Sequence, residues 1–107
     1  MDIQADWAIS HVGSKNNSNK IPFFRSHQIF EGLLGDAPLD ISRENMIKMV
    51  EEEKTHVITV FSDDSGQLKQ GEDVRVTSKL YLRTDPNDME EDNLGELPEA
   101  EKRITKL

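Results

Sequence analysis

Three histidines, a run of carboxylates and one Gly-Ser-Lys step are the side chains here that could do chemistry. Neutral imidazole is the commonest metal-ligating side chain, and His11, His27 and His56 fall on three separate predicted strands. No His-x-His or His-x₃-His pair ties two of them to one face, so their spacing does not require a metal site. The absence of cysteine removes disulfides, thiolate zinc sites, iron–sulfur clusters and thiol nucleophiles together. Between Asp85 and Glu101 stand eight carboxylates and no Lys or Arg. A calcium loop started at Asp85 places Asn87 correctly at its third position. It then puts Met89 at the fifth and Glu90 at the sixth, where an oxygen ligand and Gly are needed. A looser oxygen cage from Asp85, Asn87, Asp88 and Asp92 is the remaining cation alternative. Gly13-Ser14-Lys15 lacks the upstream glycine of a phosphate loop. No Gly-x-Ser-x-Gly elbow or dinucleotide fingerprint occurs. The expectation is therefore no enzyme, no cofactor and no catalytic residue.

Net charge narrows the partners. At -8 the chain would be repelled by nucleic-acid phosphates and by anionic lipid. No apolar run approaches the roughly 20 residues of a membrane span. The opening MDIQADWAIS has neither the basic flank nor the apolar centre of a signal peptide, so a cytoplasmic location is expected. What remains is a protein partner or a second copy of the chain. Candidate contact residues are the adjacent Phe23 and Phe24 and the acidic Asp85, Asp88, Glu90, Glu91 and Asp92. Adjacent strand residues face opposite ways, so one phenylalanine must leave the other's face. The acidic stretch has two functional readings, a partner-binding arm and a mimic of phosphates that blocks a nucleic-acid-binding protein. Its structural reading is a turn at Asp85-Pro86-Asn87-Asp88, with Leu94 and Leu97 pinning the segment to the sheet.

The elements that must position these groups follow from periodicity. Residues 6–12 alternate, with Trp7, Ile9 and His11 on one side and Ala8, Ser10 and Val12 on the other. After a polar turn, residues 21–30 read as a second strand. Residues 31–40, broken by Gly32, Gly35 and Pro38, read as a loop anchored by Leu33 and Leu34. Ser42 caps a helix over residues 43–53, whose apolar face is Met46, Ile47, Met49 and Val50. Residues 56–62 are β-branched and aromatic, as in a central strand. Asp63-Asp64-Ser65-Gly66 turns the chain. Residues 73–76 and 80–84 read as further strands about a tight turn at Thr77-Ser78-Lys79. Pro98 and the spacing of Leu97, Ala100, Ile104 and Leu107 suit a short C-terminal helix.

The order is ββ-α-βββ, an α+β fold with one main helix on a small antiparallel sheet or partly open barrel. Residues 1–84 make the core, and residues 85–107 an acidic tail belonging to the same domain.

The run YLRTDPND followed by DNLGELPE resembles the C-terminal signature of a bacterial and phage family of unknown function, numbered 3892. Ser42-Arg43-Glu44 at the helix start and Lys69-x-Gly71-x-Asp73-Val74 resemble the same family. The likeness covers most of residues 5–99. Two features depart from it: no glycine lies among Thr77, Ser78 and Lys79, and the chain runs on past Glu99. The resemblance implies a small bacterial or phage protein and carries no activity. The expected function is a non-catalytic protein-binding or structural module. An acidic nucleic-acid mimic is the alternative, and a small enzyme comes third.

Overall fold

Alternating and β-branched runs pair into a strongly curled sheet, a half-barrel with one helix, as the α+β reading predicts. The computed structural model describes residues 3–15, 18–35, 37–87 and 89–100. Trp7–Val12 forms β1 and Phe23–Phe30 forms β2, paired antiparallel. The segment expected to be a loop holds two short strands instead. Leu33–Leu34 (β3) returns on β2 through Glu31 and Gly32, both at positive φ (51° and 78°), the twist a two-residue hairpin turn needs. Leu39–Ser42 (β4) pairs with the first half of β2, Phe24 opposite Ile41 and Arg25 opposite Asp40.

Helix α1, Arg43–Glu51, starts where the cap predicts. The Ser42 hydroxyl accepts from the Asn45 amide at 3.2 Å. Met46 is buried, and Ile47, Met49 and Val50 pack beside it. Their partners are Ile9, Ile21, Phe24, Ile41, Val57, Val74, Leu82 and Leu94, the main core.

Val57–Ser62 forms β5, which lies beside β1. This pairing is parallel, so the sheet is mixed where an antiparallel one was expected. A parallel neighbour needs a long crossover, which β2, β3, β4 and α1 supply between them. Leu68–Asp73 (β6) closes the order β3-β2-β1-β5-β6, with β4 also on β2. Arg75–Val76 (β7) and Leu82–Arg83 (β8) form a separate small ladder around the predicted turn. The sheet's other face carries a second apolar cluster of Ile3, Ala8, Ile58 and Val60, joined by Ile29, Leu34 and Leu68.

Among the described residues, two register breaks interrupt the sheet. One lies in β1 between Ile9 and His11. The other lies in the β5–β6 ladder between Ile58 and Val60, where Gly71 and Glu72 face Thr59. The Thr59 hydroxyl accepts from the Glu72 amide at 3.0 Å, and a Cβ on Gly71 would overlap that hydroxyl. The crowding accounts for glycine at this position.

Residues 98–100 are extended, not helical. The Val12 amide donates to the Pro98 carbonyl at 3.1 Å, and the Ala100 amide donates to the Val12 carbonyl at 2.8 Å. Pairing with β1 satisfies this backbone without a helical turn. The remainder of the predicted C-terminal helix lies outside the described residues. Among the described residues no helix is long and apolar enough to cross a membrane.

Candidate functional site

The break in β1 does more than bend a strand. In a regular strand Ser10 and His11 would point to opposite faces. The irregularity brings them together, with Ser10 Oγ and His11 Nδ1 2.8 Å apart. His27 of β2 reaches the same hydroxyl, its Nε2 lying 3.2 Å from Ser10 Oγ. His27 Nδ1 lies 3.0 Å from the Gly35 carbonyl.

These partners assign the protons. A carbonyl only accepts, so His27 Nδ1 carries a hydrogen. A neutral imidazole carries one hydrogen, so in that form of the ring His27 Nε2 is an acceptor and receives the Ser10 hydroxyl proton. The other contact that proton could make, to the Arg25 carbonyl, is longer at 3.5 Å. Ser10 has one proton, so His11 Nδ1 must donate to Ser10 Oγ. His11 Nε2 is left as an acceptor. Burial, helped by the Arg25 and His27 charges and opposed by Asp40, holds the His11 pKa below its ordinary 6.5. The ring is therefore neutral at neutral pH.

The three side chains line a cavity of about 770 Å³. Its apolar walls come from Leu34, Val60, Phe61, Leu68, Leu94 and Leu97. Thr59 and Glu72, from the second register break, line it too. The 94–98 segment forms one side, so the end of the acidic stretch is part of the site. A mostly apolar cavity with a few convergent polar groups is the usual form of a small-ligand site.

Ser10 was not among the residues singled out from sequence. A period of two sets it opposite His11, and only the break in the ladder reverses that. His56, the third histidine, stands elsewhere and contacts Asp73, Nε2 to Oδ1 2.8 Å. No group of three or more potential metal ligands occurs among the described residues.

The acidic stretch is met by basic side chains from several elements. Arg83 is only 2% exposed and grips Asp85 with two bonds of 2.7 and 2.8 Å. Its third nitrogen donates to the Glu91 carbonyl at 2.9 Å. Lys79 pairs with Glu90, and Lys15 with Glu91 at 3.2 Å. Arg75 donates to the carbonyls of Asp85 and Asn87. Asp92 is fully buried and takes a bidentate contact from Arg43. Four of the five acidic candidates thus have basic partners, Asp92 in the interior and Asp85, Glu90 and Glu91 at the surface, and Asp88 lies outside the described residues. Leu94 is buried, and Leu97 packs on the main core. Phe24 is fully buried and Phe23 half-buried, so the Phe24 ring offers no outer surface to a partner.

These pairs carry a pH signature. Hydrogen bonding to Lys79 holds the Glu90 pKa below its ordinary 4.5, and Arg83 does the same for Asp85 below 3.8. A folded-state pKa below the unfolded one adds stability that is fully present above the unfolded value. That stability is lost as pH falls through the folded value. In a carbon-detected titration Glu90 should therefore show a midpoint under 4.5. Lys79→Gln should move the midpoint back up. A parent midpoint at the ordinary value would remove the pair from solution.

No curated protein and no solved structure gives a match to the chain. Residues 34–98, which span α1, the β5–β6 ladder and the paired acidic stretch, match the model of a protein of unknown function, DUF3892, and the chain belongs to that family.

Proposed function

We propose that this protein is a non-catalytic binding module whose ligand seats in the cavity beside His11, His27 and Leu97. The observation that carries this reading is the hydrogen-bond chain at the cavity wall. It fixes two imidazoles and a hydroxyl in one arrangement against apolar walls, which is preorganisation for binding. The acidic stretch supports binding indirectly, since Asp85, Glu90, Glu91 and Asp92 are paired with Arg83, Lys79, Lys15 and Arg43 while residues 94–98 wall the cavity.

A protein partner or a second copy is a second reading, favoured by one feature. Phe30 and Leu33 are cross-strand partners on the edge hairpin and are 61% and 62% exposed. Amide and methyl NMR spectra against a small fragment library separate the two. Shifts clustered at Ser10, His11, His27, Leu34 and Leu97 are expected. Concentration-dependent shifts at Phe30 and Leu33, with a silent cavity, would transfer the function to the hairpin.

A further inference from the structure

We propose that the cavity takes a free aliphatic amine, its ammonium seated on the acceptor nitrogen that ends the Gly35–His27–Ser10–His11 hydrogen-bond chain. This rests on the cavity being the ligand site, and it names the chemistry of the ligand.

Each link of the chain has one direction. The Gly35 carbonyl receives His27 Nδ1–H at 3.0 Å. His27 Nε2 receives Ser10 O–H at 3.2 Å, and Ser10 Oγ receives His11 Nδ1–H at 2.8 Å. The free end is His11 Nε2, a lone pair on a residue that lines the cavity. A ligand head must therefore donate. A carboxylate or phosphate would meet a lone pair, so anions are rejected.

The charges lining the cavity agree. Its ionised groups are Glu72 and Glu96, and no Lys or Arg lines it among the described residues. The net charge of -8 raises the local concentration of cations at any such opening. Leu34, Val60, Leu68 and Leu97 offer apolar surface for an alkyl chain. The volume, about 770 Å³, is that of a small-molecule site, which favours a free amine over a lysine presented by a protein. The charged and titratable groups facing His11 are Arg25 and His27 on β2 and Asp40 on β4. Arg25 and Asp40 are bonded to each other, so the pair presents little net charge to the ring.

Hexylamine, 1-hexanol, hexanoate and N-acetyl-lysine methylamide would be titrated into the intact chain, read by amide shifts at Ser10, His11, His27 and Leu34. Hexylamine should bind about tenfold tighter than hexanol, the usual gain from a charge-assisted bond, and hexanoate should not bind. Glu72→Gln, an exposed change that leaves the backbone bond to Thr59 intact, should weaken the amine several-fold and spare the alcohol. Amine affinity should also fall as pH drops below the ordinary imidazole value of 6.5. His11, whose pKa lies under that value, then gains a proton and becomes a donor, while the aliphatic ammonium keeps its charge.

If hexanol matches hexylamine, the amine assignment is overturned and the cavity reading stands. If no probe moves the cavity amides, both fall. A pH-independent amine affinity would remove the His11 acceptor. Tighter binding of the lysine derivative than of hexylamine would overturn the free-amine source.

Discussion

Asp92→Ala should cost about 3–5 kcal/mol, the largest single loss expected in this chain. Asp92 is fully buried, and its two oxygens accept four bonds. Oδ2 accepts from the Ile21 amide at 2.8 Å and from Arg43 Nε at 2.6 Å. Oδ1 accepts from the Leu82 amide at 2.9 Å and from Arg43 Nη2 at 3.0 Å. One carboxylate therefore ties the entry to β2, the start of α1 and β8. Alanine strands the Ile21 and Leu82 amides out of reach of water, at about 1–3 kcal/mol for each unpaired group. It also removes the countercharge of Arg43, which stacks over Tyr81 and whose side chain is only 17% exposed. A domain with about 5–15 kcal/mol in total would be left marginal. Urea denaturation followed by tryptophan fluorescence reads the loss, since Trp7 packs against the same core. Asp64→Ala, at an exposed turn position, serves as the control and should stay within about 0.5 kcal/mol of the parent. An Asp92→Ala midpoint equal to that of Asp64→Ala would sink the account of Asp92 as the tie.

Much of this fold was legible because its signals are local. Ser42 announces the helix, and Met46, Ile47, Met49 and Val50 announce its buried face. The alternation in residues 6–12 and the β-branched run at 56–62 announce β1 and β5. What escaped depends on partners distant in sequence. β3 and β4 lie among Gly32, Gly35 and Pro38, which read as breakers, and they exist because β2 offers an edge on each half. β6, reading LKQGED, has no apolar alternation and is held by its ladder to β5. The parallel pairing of β1 with β5 leaves no mark, because a strand's pattern carries no direction.

The site shows the same division. His11 and His27 were visible as residue types on two strands, whereas their meeting at Ser10 needs the register break. The Gly35 carbonyl that orients His27 belongs to the backbone and has no sequence signal. The distant basic partners of the acidic stretch were equally hidden. Lys15, Arg43 and Lys79 come from other elements, and only Arg83 adjoins the run.

Asp40→Ala should cost about 3 kcal/mol and should also be felt at the cavity. Asp40 is fully buried and lies directly across the β2–β4 ladder from Arg25. The pair is bidentate, Nε to Oδ1 3.0 Å and Nη2 to Oδ2 3.2 Å. Removing the carboxylate leaves the guanidinium, whose side chain is 18% exposed, without the countercharge opposite it. Two effects then separate a true electrostatic link from simple loosening. Asp40 is the group that raises the His11 pKa, against burial and the Arg25 and His27 charges. Its loss should push the His11 midpoint further below 6.5, which a proton NMR titration of the ring reads directly. Loosening would instead admit water, relieve the burial that lowers the pKa, and move the midpoint upward. The direction of that one shift decides the matter. A downward shift joined to a loss of stability ties the cross-strand ion pair to the proton arrangement at Ser10. It would also carry the acid limit of amine binding to lower pH, because His11 would keep its acceptor lone pair longer as the solution is acidified.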